Sequence, residues 1–178
     1  MTRIIAGEWR GQTLPKLKTG IVRPTTDRAR TVLFDTLRNV QGYHVLDLYS
    51  GTGALGFEAL SRGAASLVSI DKNSTYIHQQ KDWIKDRGKQ FKAYSGEVGS
   101  VLKRLKQKYD LIFADPPYDD GIAADIFNLI EACIVVDGLF VFEKSKRDDS
   151  VLNSNILVLE KEKVIAETKI QIYKAHGT

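Results

Sequence analysis

Tyr43-His44-Val45-Leu46-Asp47-Leu48-Tyr49-Ser50-Gly51-Thr52-Gly53-Ala54-Leu55-Gly56 is the stretch that decides the fold. It opens as a mostly apolar run of strand length and passes directly into glycines spaced G-x-G-x-x-G. A helix-length segment, 54–62, follows. Strand, glycine turn and helix in that order are the context in which such a turn cradles a nucleotide. Gly51 and Gly53 let the backbone turn tightly and approach a ligand, while Gly56 permits close packing of helix on strand. Asp71 stands 20 residues after Gly51, at the end of the next predicted strand. A carboxylate there can accept from both hydroxyls of a ribose. On these features a dinucleotide site and a ligand-free glycine turn are both open.

Working outward, strands and helices alternate along the chain. Strands are predicted at 44–49, 67–71, 91–95, 110–114 and 138–143, and helices at 54–62, 74–87, 98–106 and 121–133. A further helix starts at Thr26 or Asp27, with Ala29, Val32, Leu33, Phe34, Leu37 and Val40 at helical spacing. Two strands near 155–161 and 167–174 lie too close together for a crossover helix and predict an antiparallel hairpin. The expected fold class is α/β: a doubly wound, seven-stranded, mostly parallel sheet. The 178 residues fit one domain, with a basic N-terminal extension over 1–25 and a Rossmann-like core over 26–178. Residues 3–22, marked by Gly7, Gly11, Pro15 and Gly20, predict short strands or an extended arm.

Asp47 changes the expected ligand. An acid four residues before Gly51 would repel a pyrophosphate, yet it would favour a cationic ligand; a structural acid capping the turn is the other option. S-adenosylmethionine, with its sulfonium and ammonium groups, satisfies both Asp47 and Asp71. A P-loop is excluded because no Gly-Lys-Ser/Thr follows the glycines. Strand 110–114 then ends in Asp115-Pro116-Pro117-Tyr118. The prolines carry no N–H, so the Asp115 carboxylate and Pro116 carbonyl form an acceptor-only surface. Such a surface suits an exocyclic amine, each N–H donated to one acceptor. Held in that way, the nitrogen can pyramidalise and present its lone pair to a methyl group. Tyr118 offers a ring on which a base can stack.

These motifs resemble the class I S-adenosylmethionine-dependent methyltransferases that modify exocyclic amines. The segments Arg23-Pro24-Thr25-Thr26-Asp27-Arg28-Ala29-Arg30, Arg3-Ile4-Ile5-Ala6-Gly7 with Trp9-Arg10-Gly11, and Glu58-Ala59-Leu60-Ser61-Arg62-Gly63-Ala64 narrow the resemblance. Together they resemble the bacterial small-subunit rRNA guanine-N2 methyltransferases, the methyltransferase D family, over nearly the whole chain. The Arg-Pro-Thr-Thr-Asp-Arg block is the specific part. Two positions depart from the family pattern: Thr31 stands where a glutamate is usual, and Ala166-Glu167 replaces a frequent Tyr-Gly.

The resemblance implies a role for each matching residue. Asp47, Gly51 and Gly53 would line the methionine end of the cofactor, Asp71 would hold the ribose and Ser95-Gly96-Glu97-Val98 would flank the adenine, with Tyr49, Thr52 and Lys72 also among the cofactor-binding residues. Glu97 could instead be an exposed loop acid. Asp115, Pro116, Pro117 and Tyr118 would be the catalytic set. Arg3, Arg10, Lys16, Arg23, Thr25, Arg28 and Arg30 would meet RNA, with the alternative that Asp27 and the arginines pair with one another and the domain. Trp9 could stack on a base; Trp83, on an amphipathic helix, and Cys133, in an apolar run, read as packing residues. Glu143, ending the fifth strand, could line the cleft.

The charge distribution agrees with a polyanionic partner. Residues 1–38 hold eight basic and three acidic groups, whereas the remaining 140 hold eighteen and nineteen. Residues 1–38 thus carry +5 and the remainder −1, so the whole excess of +4 traces to the N-terminus, which suits either a nucleic-acid partner or a solvated basic surface. Neutralising about five phosphates would give a log–log salt slope near −3.5, at roughly −0.7 per phosphate on single strands. The single cysteine excludes an internal disulfide, and three scattered histidines leave no zinc-ligand pattern. No metal is expected. No apolar run suggests a membrane span or a signal segment, so a cytoplasmic protein acting on 16S rRNA of the small ribosomal subunit is expected, and nothing demands more than a monomer. A DNA amino-methyltransferase would use the same Asp-Pro-Pro-Tyr chemistry. A nicotinamide-dependent oxidoreductase or nucleotide-binding regulator would leave that motif without a purpose.

Overall fold

The computed structural model describes residues 2–15, 26–117, 124–150 and 152–177. Its elements follow in the order α1 (Asp27–Leu37), β1 (His44–Leu48), α2 (Ala54–Ser61), β2 (Ser66–Asp71), α3 (Ser74–Ile84) and β3 (Gln90–Ser95). Then come α4 (Val98–Leu102), β4 (Tyr109–Ala114), α5 (Ala124–Cys133), β5 (Ile134–Ser145), β6 (Leu157–Ile165) and β7 (Thr168–Ala175). All seven strands join one sheet in the order β3-β2-β1-β4-β5-β7-β6. The first five run parallel, and β7 lies antiparallel to both β5 and β6. The chain order reverses between β1 and β4, the switch point at which ligands sit in open α/β sheets.

The central strands are apolar on both faces because both faces are covered. Val45, Leu67, Leu111 and Phe113 join a core beneath α1 and α2 that also takes in Ile84 of α3. Leu46, Leu48, Val68, Ile70, Ile112 and Ala114 point the other way, into a core shared with α4 and α5. Strand alternation therefore puts Asp47, Ser69 and Asp71 on the α2 side. Thr26 caps α1 by accepting from the Ala29 N–H at 3.2 Å, and Asn73 caps α3 by accepting from Thr75.

Several boundaries differ from the sequence reading. Helix α4 stops at Leu102, where Arg104 and Leu105 donate three residues back, to Val101 and Leu102, and tighten the chain out of the α-helix. Helix α3 ends at Ile84, ahead of a turn in which Gly88 takes φ +63°. Of the predicted helix 121–133, residues 121–123 lie outside the described residues. Strand β5 is longer than expected because its pairing to β4 jumps from Tyr109–Ile134 to Leu111–Leu139. The extra residues turn outward through Asp137, at φ +64°.

Of the two readings of the N-terminal segment, its described residues take that of short paired strands packed on the core. Residues 2–14 form a hairpin, with Ile4 donating to Gln12, Gly11 to Ile4 and Leu14 to Thr2. Ile4, Trp9 and Leu14 are buried in the first core. Trp9 meets Trp83 edge-on at 5.4 Å, and Arg87 stacks over Trp83 at 3.9 Å. Trp9 is thus a packing residue, 4% exposed, and is not available to stack on a base. Cys133 is buried, and burial pushes its thiol up to about 11, as expected of a core cysteine.

Candidate active site

The site grows from the turn after β1. Tyr49 takes φ +59°, Gly51 +53° and Gly53 +78°, so the chain reverses in a run of left-handed residues. A Cβ on Gly53 would stand 2.7 Å from the Phe57 ring, and one on Gly56 would stand 2.7 Å from Leu67 and 3.0 Å from Asp47 Oδ2. Those two glycines let α2 lie against the strands. Gly51 is different, because a Cβ there would meet nothing within 4 Å. The turn faces open space at that residue, as a ligand cradle must.

Asp71 joins this turn to the second strand. Its Oδ2 accepts from the Gly51 N–H at 2.8 Å and its Oδ1 from the Asn73 N–H at 2.8 Å. A carboxylate has about four acceptor positions. Two remain for a diol. The Asp71 carbonyl accepts from Gly96 at 3.0 Å, which draws the loop after β3 to the same place. Glu97 there is exposed and stands at the N-cap of α4 without a capping hydrogen bond; the Val98 side chain belongs to the second core. Lys72 is exposed, Tyr49 is half-buried and Thr52 is 8% exposed.

Asp47 lies beneath the turn, 2% exposed, and its Oδ2 accepts from the Gly56 N–H at 3.0 Å. It therefore caps the first turn of α2, the structural alternative that its position in the sequence leaves open. Burial, opposed by that hydrogen bond and reinforced by the Asp71 charge, raises its carboxyl to about 7. Added cationic charge in the cradle would lower it again.

Strand β4 delivers the second half of the site. Leu48 pairs with Ala114, so the glycine turn and Asp115 leave the sheet side by side. Asp115 is half-buried, Pro116 buried and Pro117 exposed. Tyr118 lies outside the described residues. One strand over, Ala114 pairs with Phe142, and Glu143 beyond it is buried at 4% exposure.

A family model described as Conserved hypothetical protein 95 matches residues 2–174. The chain belongs to this family. A relative from Haemophilus influenzae, named ribosomal RNA small subunit methyltransferase D, is 30% identical over 179 residues, which cover 97% of this chain and 93% of the relative. The solved structure of yhhF from Escherichia coli matches with a TM-score of 0.88 at 29% identity, covering 99% of this chain and 98% of that one. A structure from Streptococcus mutans, titled as a candidate SAM-dependent methyltransferase, matches with a TM-score of 0.70 at 15% identity over 86% of this chain and 50% of that chain, which shows the shared fold. The family chain described here is a methyltransferase of class I fold.

In this methyltransferase the residues expected to meet RNA separate into three groups. Arg3, Arg10 and Arg28 are exposed. Lys16, Arg23 and Thr25 lie outside the described residues. Arg30 departs from expectation: it is 0% exposed, and its Nη2 donates to the Arg3 carbonyl at 2.7 Å and to Asp27 Oδ1 at 2.7 Å. Through that nitrogen the buried guanidinium of Arg30 braces the hairpin against α1.

One residue behind the cradle had no role assigned from the sequence. Gln80 of α3 is 0% exposed, and its Nε2 donates to Ser50 Oγ at 2.9 Å and to the Gly51 carbonyl at 2.8 Å. It holds the cradle from behind. Its signal was a polar residue within the buried stripe Tyr76, Ile77, Gln80 and Ile84. Glu58, which opens the Glu58–Ala64 segment without an assigned role, is buried in the middle of α2. Among the described residues no cluster suits a metal ion, and no helix is long and apolar enough to cross a membrane.

Proposed function

We propose that this protein transfers a methyl group from S-adenosylmethionine to the exocyclic N2 amine of a guanine in 16S rRNA of the small ribosomal subunit. The observation that carries the reading is the acceptor-only end of β4, Asp115-Pro116, standing beside an open glycine cradle across the Leu48–Ala114 pair. The family name borne by the Haemophilus influenzae relative supports the ribosomal substrate.

The residues present fit the cofactor. Open space at Gly51, two free acceptor positions on Asp71 and the buried carboxyl of Asp47 suit a backbone-cradled adenosine bearing positive charge. When bound, S-adenosylmethionine supplies an electrophilic methyl group on a sulfonium. The chain's task is then alignment. Asp115 Oδ and the Pro116 carbonyl each accept one N–H of the target amine, turning its lone pair toward the cradle. Neither proline offers an N–H that would compete for that lone pair. Asp115 also takes up the proton that the methylated nitrogen sheds. Holding reacting atoms about 3–3.5 Å apart contributes several kcal/mol. Tyr118 stacks on the base, and the exposed Arg3, Arg10 and Arg28 take the flanking phosphates together with Lys16, Arg23 and Thr25. The protein acts in this way as a monomer in the cytoplasm and without a metal.

Asp115→Ala tests the assignment. The variant should keep the rise in Tm that S-adenosylmethionine gives the parent, yet lose at least about a hundredfold in kcat, since it removes both an acceptor and the alignment it imposes. Retained turnover would remove Asp115 from the chemistry.

A further inference from the structure

We infer that Glu58 is a positioning residue that fixes the basic N-terminal hairpin relative to the cofactor cradle; the inference rests on the rRNA reading above. Glu58 is 0% exposed, and an isolated buried carboxylate is costly unless its acceptor positions are filled. Three of about four are taken, two by the hairpin backbone and one by Arg62. Ile5 N–H donates to Oε2 at 2.7 Å and Ala6 N–H to Oε1 at 3.0 Å, while Arg62 Nε donates to Oε1 at 2.7 Å. Ser61, one turn further along α2, continues the seam. Its Oγ accepts from the Trp9 N–H at 3.0 Å and donates to the Ala6 carbonyl at 2.6 Å, and its carbonyl accepts from the Glu8 N–H at 2.8 Å.

Gly7 lies at the tip of this contact with φ +84°. A Cβ there would stand 1.9 Å from the Ser61 carbonyl oxygen. Hairpin backbone thus rests directly on the last turn of α2, with no side chain between them. The first turn of the same helix begins at Gly53, where the cradle ends. Hairpin and cradle therefore occupy opposite ends of one eight-residue helix about 12 Å long, all of whose residues are buried. Arg30 of α1 grips the hairpin from its other side through the Arg3 carbonyl.

The consequence concerns register. Arg3 and Arg10 are exposed on the hairpin, and their distance from the methyl donor is set by α2 and by the Glu58 seam. An RNA strand anchored on those cations presents its target base at a fixed offset from the cradle. Ordering a loosely attached hairpin would draw on the energy of RNA contact, so RNA would bind more weakly, while the complex once formed would hold the base at the same offset.

Glu58→Gln tests this by placing an amide NH2 against a backbone N–H. The expected result is a rise of about tenfold in KM for small-subunit rRNA, the size of one unsatisfied buried donor. The kcat should stay within about twofold, and the Tm shift given by S-adenosylmethionine should be unchanged. A folded Glu58→Gln protein with the parental KM would overturn the inference, as would a parallel loss of cofactor binding. Gly7→Ala attacks the same seam from the hairpin and covers the case in which Glu58→Gln does not fold; it should raise KM in the same way, and an unchanged KM would count against the seam. The double variant Arg3→Ala/Arg10→Ala separates the two levels. If it raises KM and the seam variants do not, only the positioning role falls; if it leaves KM unchanged, the hairpin is not an RNA surface and the inference falls with that reading.

Discussion

Asp47 is held in an environment that opposes its own charge. Its carboxyl is raised from 3.8 to about 7, chiefly by burial. Between those values the folded protein binds a proton that the unfolded chain has released, so stability falls as pH rises from about 4 to 7 and levels off above. The amount is on the order of a few kcal/mol. Asp47→Asn keeps an acceptor for the Gly56 N–H and removes the titration. Urea unfolding of the variant should show a flatter decline over that range and higher stability than the parent at pH 8, together with weaker binding of S-adenosylmethionine. Parallel curves for the two proteins would refute the assignment. The sequence made Asp47 visible because an acid is out of place at the end of an apolar strand. The partners of Gln80 and Glu58 were hidden for the converse reason. Each occupies a core-facing helical position; Gln80 meets Ser50 Oγ and the Gly51 carbonyl, and Glu58 meets backbone N–H groups more than fifty positions away. Periodicity marks a face as buried, but it does not reveal which polar group lies across from it.

Among the elements, the parallel strands were the most legible, because strands covered on both sides are apolar throughout and the glycine turn announces the first of them. Ends were less so. Helix α4 carries polar residues past Leu102 that would continue a helix in isolation, yet the chain tightens there to reach β4. The closing hairpin turns through Ala166 at φ +55°, where this chain lacks the glycine that such a conformation favours. Ala166→Gly should relieve about 1 kcal/mol of left-handed strain and raise Tm by roughly 2–4 °C, as read by thermal unfolding. A lowered Tm would show that the added backbone freedom of the unfolded chain outweighs the strain.

On the scale of the whole molecule, charge sets a basic N-terminal extension apart from a neutral core, and the structure packs residues 2–14 of that extension onto the core. Charge identifies residues 1–38 as the cationic part of the surface, but Ile4, Trp9 and Leu14 make the hairpin part of the core. Burying those side chains stabilises the fold by a few kcal/mol, so the hairpin cannot move as a free arm. Cradle, acceptor-only strand end and cationic hairpin are thereby carried on one continuous core. The central claim is the transfer itself. It is tested most directly by incubating the protein with labelled S-adenosylmethionine and undermodified small ribosomal subunits, their naked rRNA or genomic DNA, followed by digestion and mass spectrometry of the nucleosides. The account predicts N2-methylguanosine from the ribosomal material and none from DNA; methyladenine or N4-methylcytosine in DNA, with unlabelled rRNA, would contradict it.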